Sequence, residues 1–174
     1  MMALLIVGIG DCKVSRDQCD VLVTHALGSC IGVVLYDPIA KVAGLLHFML
    51  PDSSLDLDAA ARRPFLFADT GIPMLLRSTG QLGALASRLL VMVAGGAQML
   101  DPNGTFDIGH RNQIAMREVF WKVGVAVSKE EIGGTGSRTM KIDVDGGRVQ
   151  LSTSGGPEHE MLANSKKIGA SDGH

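Results

Sequence analysis

The sequence predicts an α+β fold, with mixed β-sheets, a central antiparallel hairpin and two helical segments. Three observations carry that reading. Strand-like runs come in groups with the helical segments between them, not in the strict alternation of a parallel α/β fold. The stretch Thr24 to His47 holds two apolar runs around a tight turn, the pattern of a hairpin. The chain is 46% hydrophobic but only 4% aromatic, and it carries 22 glycines. Such a core is built from Val, Leu, Ile, Met and Ala on short strands joined by tight turns. A chain of 174 residues is long enough to bury it. Residues 1–153 read as a single domain, and the polar, weakly patterned residues 154–174 as a flexible tail.

Each element follows in order. Ala3 to Ile9 is an apolar run and a strand, and Gly10 to Asp20 is polar, a loop or irregular edge. Val21 to Thr24 starts a second strand, and Ala26 to Ser29 is a glycine-containing turn. Ile31 to Tyr36 and Lys41 to Met49 are the arms of the central hairpin. Asp37-Pro38-Ile39-Ala40 is its turn, with Pro where a type I turn favours it. Pro51 ends the second arm. Ala59 to Thr79 reads as helix capped by Asp58, with a break or kink at Pro64, Gly71 and Pro73. Ser87 to Ala94 is a strand closed by Gly95-Gly96, and Asp101 to Thr105 is a loop. Asp107 caps a helix from Gly109 to Val123, with Gly124 as its stop and Ile114, Val119 and Val123 on its buried face. Val125 to Val127 begins another strand. Thr139 to Val144 and Arg148 to Leu151 form a hairpin around Asp145-Gly146-Gly147.

Composition also narrows the function. A net charge of −2 gives no electrostatic reason to expect nucleic acid. No apolar run approaches the roughly 18 residues that span a bilayer, so no membrane insertion is expected. The opening MMALLIVGIG lacks a basic leader and a cleavage site and reads as a strand. Cys12, Cys19 and Cys30 form no CxxC pair, which suits a reducing cytoplasm.

The chemistry gathers on the hairpin. With Tyr36 facing Lys41, paired residue numbers sum to 77, and Cys30 lies opposite His47. Facing residues of an antiparallel pair have Cβ atoms roughly 4.5–5.5 Å apart on one side of the sheet. A histidine there accepts the thiol proton or holds a thiolate–imidazolium pair, so Cys30 is expected to alkylate first. Backbone N–H groups of the tight turn at Gly28 and Ser29 are oxyanion candidates. The Thr24 hydroxyl accepts from the second imidazole nitrogen and fixes the tautomer. His25 is an alternative base, but on a strand it points opposite to Thr24. Gly28-Ser29-Cys30-Ile31-Gly32 has the spelling of a nucleophile elbow, yet a strand follows it where that motif requires a helix. Cys19, His25, Cys30 and His47 match no zinc spacing, so no metal or other cofactor is expected. Gly95-Gly96 reads as a plain turn, and Arg111 and Asn112 as structural or substrate contacts.

Several separated motifs, in order, resemble one family. Thr24 with Leu27-Gly28-Ser29-Cys30, Gly44-Leu45-Leu46-His47-Phe48-Met49-Leu50-Pro51 and Ala68-Asp69-Thr70-Gly71-Ile72-Pro73 are similar to the chemoreceptor glutamine deamidases, the CheD family. Gly95-Gly96-Ala97, Ile108-Gly109-His110-Arg111-Asn112 and Gly133-Gly134 with Arg138 extend the likeness over roughly Leu4 to Leu151. The resemblance implies a catalytic domain over 1–153 that hydrolyses side-chain amides of glutamines on methyl-accepting chemotaxis receptors. It places the nucleophile on Cys30, the histidine on His47 and the threonine on Thr24, with a thioester intermediate. It implies a fold similar to the catalytic domain of glutamine-deamidating toxins. Its partners would be the cytoplasmic helices of receptors and, for some members, a CheC-type phosphatase. The sequence departs from the family at Met92 and Ala94, where a Lys and a bulky residue are common, and at His25-Ala26. Two other readings stand beside it: a thiol acyltransferase or peptidase with the same pair, and a non-catalytic module that docks a phosphatase.

Overall fold

The computed structural model describes residues 1–99 and 107–161. In chain order the elements are β1 (Ala3–Ile6), β2 (Asp11–Ser15), β3 (Asp20–Leu27), β4 (Ile31–Asp37) and β5 (Val42–Phe48). Then come α1 (Leu57–Arg62), α2 (Ala68–Gln81), β6 (Leu90–Gly95) and α3 (Ile108–Val123). Last are β7 (Lys129–Ile132), β8 (Arg138–Asp143), β9 (Val149–Thr153) and β10 (Glu158–Met161). One five-stranded sheet has the order β1-β3-β8-β9-β10, and the other β2-β5-β4-β6-β7. Each mixes parallel and antiparallel pairs, as in the α+β class expected.

Packing follows from the apolar runs. Every residue of β4 and β5 is buried, because both faces of their sheet are covered. On one face Val34, Tyr36, Ala43 and Leu45 meet Leu22, Leu27, Met140 and Ile142 of the first sheet. On the other, Val33, Leu35, Leu46 and Phe48 meet Ile72 and Leu75 of α2 and Met116 and Phe120 of α3. The layers are therefore sheet, sheet, helices.

The hairpin register differs from the sequence reading. Tyr36 pairs with Ala43 and Asp37 with Val42, so paired numbers sum to 79. The cause is Asp37. Its side-chain oxygens accept from the N–H groups of Ile39 (2.9 Å), Ala40 (3.0 Å) and Leu85 (2.9 Å), and pair with Arg88 at 2.7 Å. Burial alone would raise this carboxyl; Arg88 and the three N–H groups hold it at about 2. Anchored this way, Asp37 stays in the strand. Lys41 takes a left-handed φ of 52° and closes the loop one residue later.

Other expectations also shift. Residues 11–15 form β2, an edge strand paired to β5. Asp56, not Asp58, caps α1, and the helix breaks at Arg63-Pro64. Gly71 and Pro73 sit inside α2 without interrupting it, since Gly71, Ile72, Leu75 and Thr79 form its buried face. Residues 86–88 form a 3₁₀ turn that delivers Arg88 to Asp37, and β6 starts only at Leu90. Val125 to Val127 lies outside any strand, and β7 begins at Lys129. Asp107 caps α3 and Gly124 ends it at φ 71° as expected, but Ile114 and Val123 are exposed. Its buried face is Gly109, Asn112, Met116, Val119 and Phe120. The expected tail is ordered at its start, where β10 pairs with β9. The rest of it, 162–174, and the expected loop at 101–105 lie outside the described residues. Among the described residues no helix is long and apolar enough to cross a membrane.

Candidate active site

Three strands bring the site together. Thr24 comes from β3 of the first sheet, His47 from β5 of the second, and Cys30 from the turn leading into β4. Thr24 and His47 are fully buried and Cys30 is 7% exposed. A bulge in β3 sets Thr24 in place. Between Thr24 and Leu27 the register against β8 shifts, and Ala26 takes a left-handed φ of 58°. His25 and Ala26 turn outward, while Thr24 and Leu27 both face the core. His25 thus leaves the site; it is exposed, 3.4 Å from the Thr139 hydroxyl.

Cys30 is not opposite His47. The residue facing His47 is Gly32, two positions on. A two-residue shift keeps the same face, and extending the ladder one residue past Ile31–Phe48 makes Cys30 a diagonal neighbour of His47 in the layer between the sheets. Such neighbours are roughly 7–8 Å apart at the backbone, within reach of long and aromatic side chains.

Hydrogen bonds assign the imidazole tautomer. The Thr24 hydroxyl donates to the Val7 carbonyl at 2.7 Å and lies 2.7 Å from His47 Nδ1. Its single proton goes to Val7, so it accepts from Nδ1–H. Nε2 then carries a lone pair, and it is buried without a partner among the described residues. Burial pushes the imidazole pKa down to about 4. Burial raises the Cys30 thiol, opposed by its own backbone N–H. Both shifts favour a neutral thiol and a neutral imidazole at rest over the thiolate–imidazolium pair. Exposed Cys19, not Cys30, is therefore the readily accessible thiol.

Stability should report the same burial. The unfolded chain takes up the histidine proton near pH 6.5, the native protein only near 4. His47 thus favours the native state fully above pH 6.5, and this contribution is lost as pH falls towards 4. Over about 2.5 units it amounts to roughly 3 kcal/mol. Urea midpoints taken across this window should fall, and His47→Gln should flatten the fall.

The turn around Cys30 is braced on every side. The carbonyls of Gly28 and Cys30 accept from Ala97 N and Gly96 N, each at 2.8 Å. Arg138 donates to the carbonyls of Gly95 (3.3 Å) and Gly133 (2.8 Å). Gly28 N–H donates to Ala26 O at 3.0 Å and is removed as an oxyanion donor. Among the described residues, Ser29 N–H and Cys30 N–H donate to no backbone carbonyl. Sequence reasoning missed the Cys30 N–H, the Val7 carbonyl and the Arg138 brace. It read Asn112 as a structural or a substrate contact; this residue is fully buried and donates to Ser29 O (3.0 Å) and Met49 O (2.9 Å), a structural contact. A polar residue on an otherwise apolar helix face, between Gly109 and Met116, was the available signal. A cleft of about 120 Å³ opens beside Ser29, lined by Ala97, Met99, Ile108 and Gly109 among others.

Cys19 and His25 are exposed while Cys30 and His47 are buried, so the four do not converge as a ligand set. Among the described residues no group of three His, Cys, Asp or Glu is placed to hold a metal. Met92 and Ala94 are buried in the layer between the sheets.

Comparison with known proteins gives one family. Residues 49–153 match the family model described as CheD chemotactic sensory transduction. That match begins two residues after His47. Whole-chain relatives extend through the site. A probable chemoreceptor glutamine deamidase CheD of Solibacter usitatus is 47% identical, over 88% of this chain and 91% of the relative. One of Syntrophus aciditrophicus is 48% identical, over 92% of this chain and all of the relative. One of Anaeromyxobacter dehalogenans is 45% identical, over 87% and 96%.

Proposed function

The chain belongs to the CheD family, and from that premise we propose that it is a protein-glutamine deamidase acting on chemoreceptors. The observation that carries the reading is the Thr24–His47 hydrogen bond, which leaves an unpartnered basic nitrogen in the layer that holds Cys30. The Cys30 thiol gives its proton to His47 Nε2 as Sγ attacks the glutamine side-chain carbonyl carbon. The N–H groups of Cys30 and Ser29 receive the oxyanion. Collapse breaks the C–N bond, and the imidazolium proton leaves with ammonia. Water, deprotonated by the same nitrogen, hydrolyses the thioester to glutamate and restores the thiol. Thr24 holds the tautomer throughout.

A neutral pair at rest has a pH signature. Activity should fall on the acid side only near pH 4, and no loss should appear at neutral pH where an ordinary histidine titrates. Thr24→Val frees the ring and leaves the Val7 carbonyl unpaired. One lost orienting hydrogen bond, on the order of 1–3 kcal/mol, should slow turnover about 5- to 150-fold.

The substrates on this reading are receptor cytoplasmic helices, and a CheC-type phosphatase is a second partner. The test is incubation of purified protein with receptor cytoplasmic domains from the same genome. Deamidation adds about 1 Da per site and releases ammonia without chain cleavage. Cleaved chains would favour a peptidase, and unchanged receptors bound by the protein would favour a docking module.

A further inference from the structure

The first turns of α3 are seated unusually close to the nucleophile. A Cβ on Gly109 would lie 2.3 Å from Ala97 O and 2.8 Å from Gly96 O, so only glycine lets the helix approach. One turn on, Gln113 Nε2 donates to Gly96 O at 2.8 Å. Between them Asn112 points into the protein. Its two N–H groups reach two separate segments, Ser29 O just before the nucleophile and Met49 O two residues after His47. Its Oδ1 is buried with no partner among the described residues. A leucine would fill this apolar face and remove the unpartnered Oδ1, but it would take the amide donor away from both carbonyls. Only a side chain with two donors on one nitrogen joins those carbonyls.

We infer that Asn112 is a positioning residue, whose carboxamide ties the Cys30 turn to the end of β5 and so sets the spacing across which His47 takes the thiol proton. The hairpin alone does not fix that spacing. Cys30 precedes β4, and its diagonal relation to His47 lies beyond the last ladder pair, Ile31 with Phe48. The segments that Asn112 joins are the ones that leave the ladder at that point.

The inference rests on the Cys30–His47 pairing of the proposed function, but its test needs no receptor. Alkylation of Cys30 by iodoacetamide is followed by peptide mapping from pH 4 to 10. The proteins are the wild type, His47→Gln, Asn112→Leu and Asn112→Asp. In the wild type, internal proton transfer should give a rate that is level across neutral pH. His47→Gln should lose that plateau and rise about tenfold per pH unit, as an unassisted thiol does. Asn112→Leu, folded by circular dichroism, should lower the plateau at least about tenfold and approach the His47→Gln profile. If receptor deamidation is measurable, its kcat should fall by a similar factor with KM within about twofold. Asn112→Asp keeps the shape but offers no donor at neutral pH and should behave the same way. A folded Asn112→Leu with the wild-type plateau overturns the inference. So does a loss of activity carried by KM alone, which would make Asn112 a substrate contact. If neither variant folds, the carboxamide is a fold element and the inference fails. A wild-type profile matching His47→Gln removes the pairing, and the inference with it. Wild-type protein that alkylates as expected but leaves receptors unchanged overturns only the proposed substrate.

Discussion

Cys30→Ala is expected to take deamidation to background while leaving the fold intact. Cys30 is the only thiol in the layer that holds His47, and no other nucleophile stands on the turn except the Ser29 hydroxyl. Removing one sulfur from a site already 7% exposed leaves a small void at the margin of an apolar cluster whose other members stay packed. The stability loss should stay near 1–2 kcal/mol, well below the large-to-small losses of bigger side chains. Catalysis has no such reserve. Without Sγ there is no acyl acceptor, and His47 alone has only water to activate. Nucleophile and base act as a unit, so His47→Ala should be nearly as damaging and the double variant little worse. Receptor mass after overnight incubation checks this. A folded Cys30→Ala protein that still adds about 1 Da per site would remove the nucleophile from the account.

Gly95→Ala is expected to be the most damaging small change outside the triad. The backbone there has φ 111°, a region side chains rarely adopt, and an added Cβ would lie 2.2 Å from the carbonyl oxygen of Cys30. The obstacle is backbone, so something must move, and the nearest movable thing is the nucleophile turn. Gly83 supplies the control. Its φ is 104°, yet among the described residues nothing lies within 4 Å of an added Cβ. Gly83→Ala should therefore carry only the backbone strain, of order 1–3 kcal/mol. Gly95→Ala should lose at least about 2 kcal/mol more, a further drop of roughly 4–8 °C in Tm for a chain of this size. Urea or thermal melts of the two variants side by side measure the difference. Equal melts would mean that the turn gives way freely and is not braced.

The proposed triad could be read from sequence because its residues are local to one hairpin and one preceding strand, and a two-residue error in register preserves the face of a strand. The error came from a turn whose length depends on Arg88, far along the chain, reaching back to Asp37. The missed edge strand β2 has the same kind of origin: residues 11–15 are polar, and they become a strand because β5 offers an unpaired edge. The buried face of α3 was misread for a related reason. Ile114 fits an apolar pattern, yet the helix turns Asn112 inward, because the site has two carbonyls there to satisfy. Long-range polar contacts therefore decide the details that local patterns leave open. The resting charge state was also beyond the sequence, since it depends on how deeply the second sheet buries His47.

The most direct measurement is an acid quench of the protein during turnover on a receptor helix peptide, with the enzyme's mass mapped to residues. An adduct on Cys30 is expected, equal to the peptide less ammonia, about 17 Da, and discharged by hydroxylamine as a thioester is. His47→Gln should form it slowly, and Cys30→Ala not at all. An adduct on Cys12 or Cys19, or peptide converted by Cys30→Ala at the wild-type rate, would contradict Cys30 as the nucleophile.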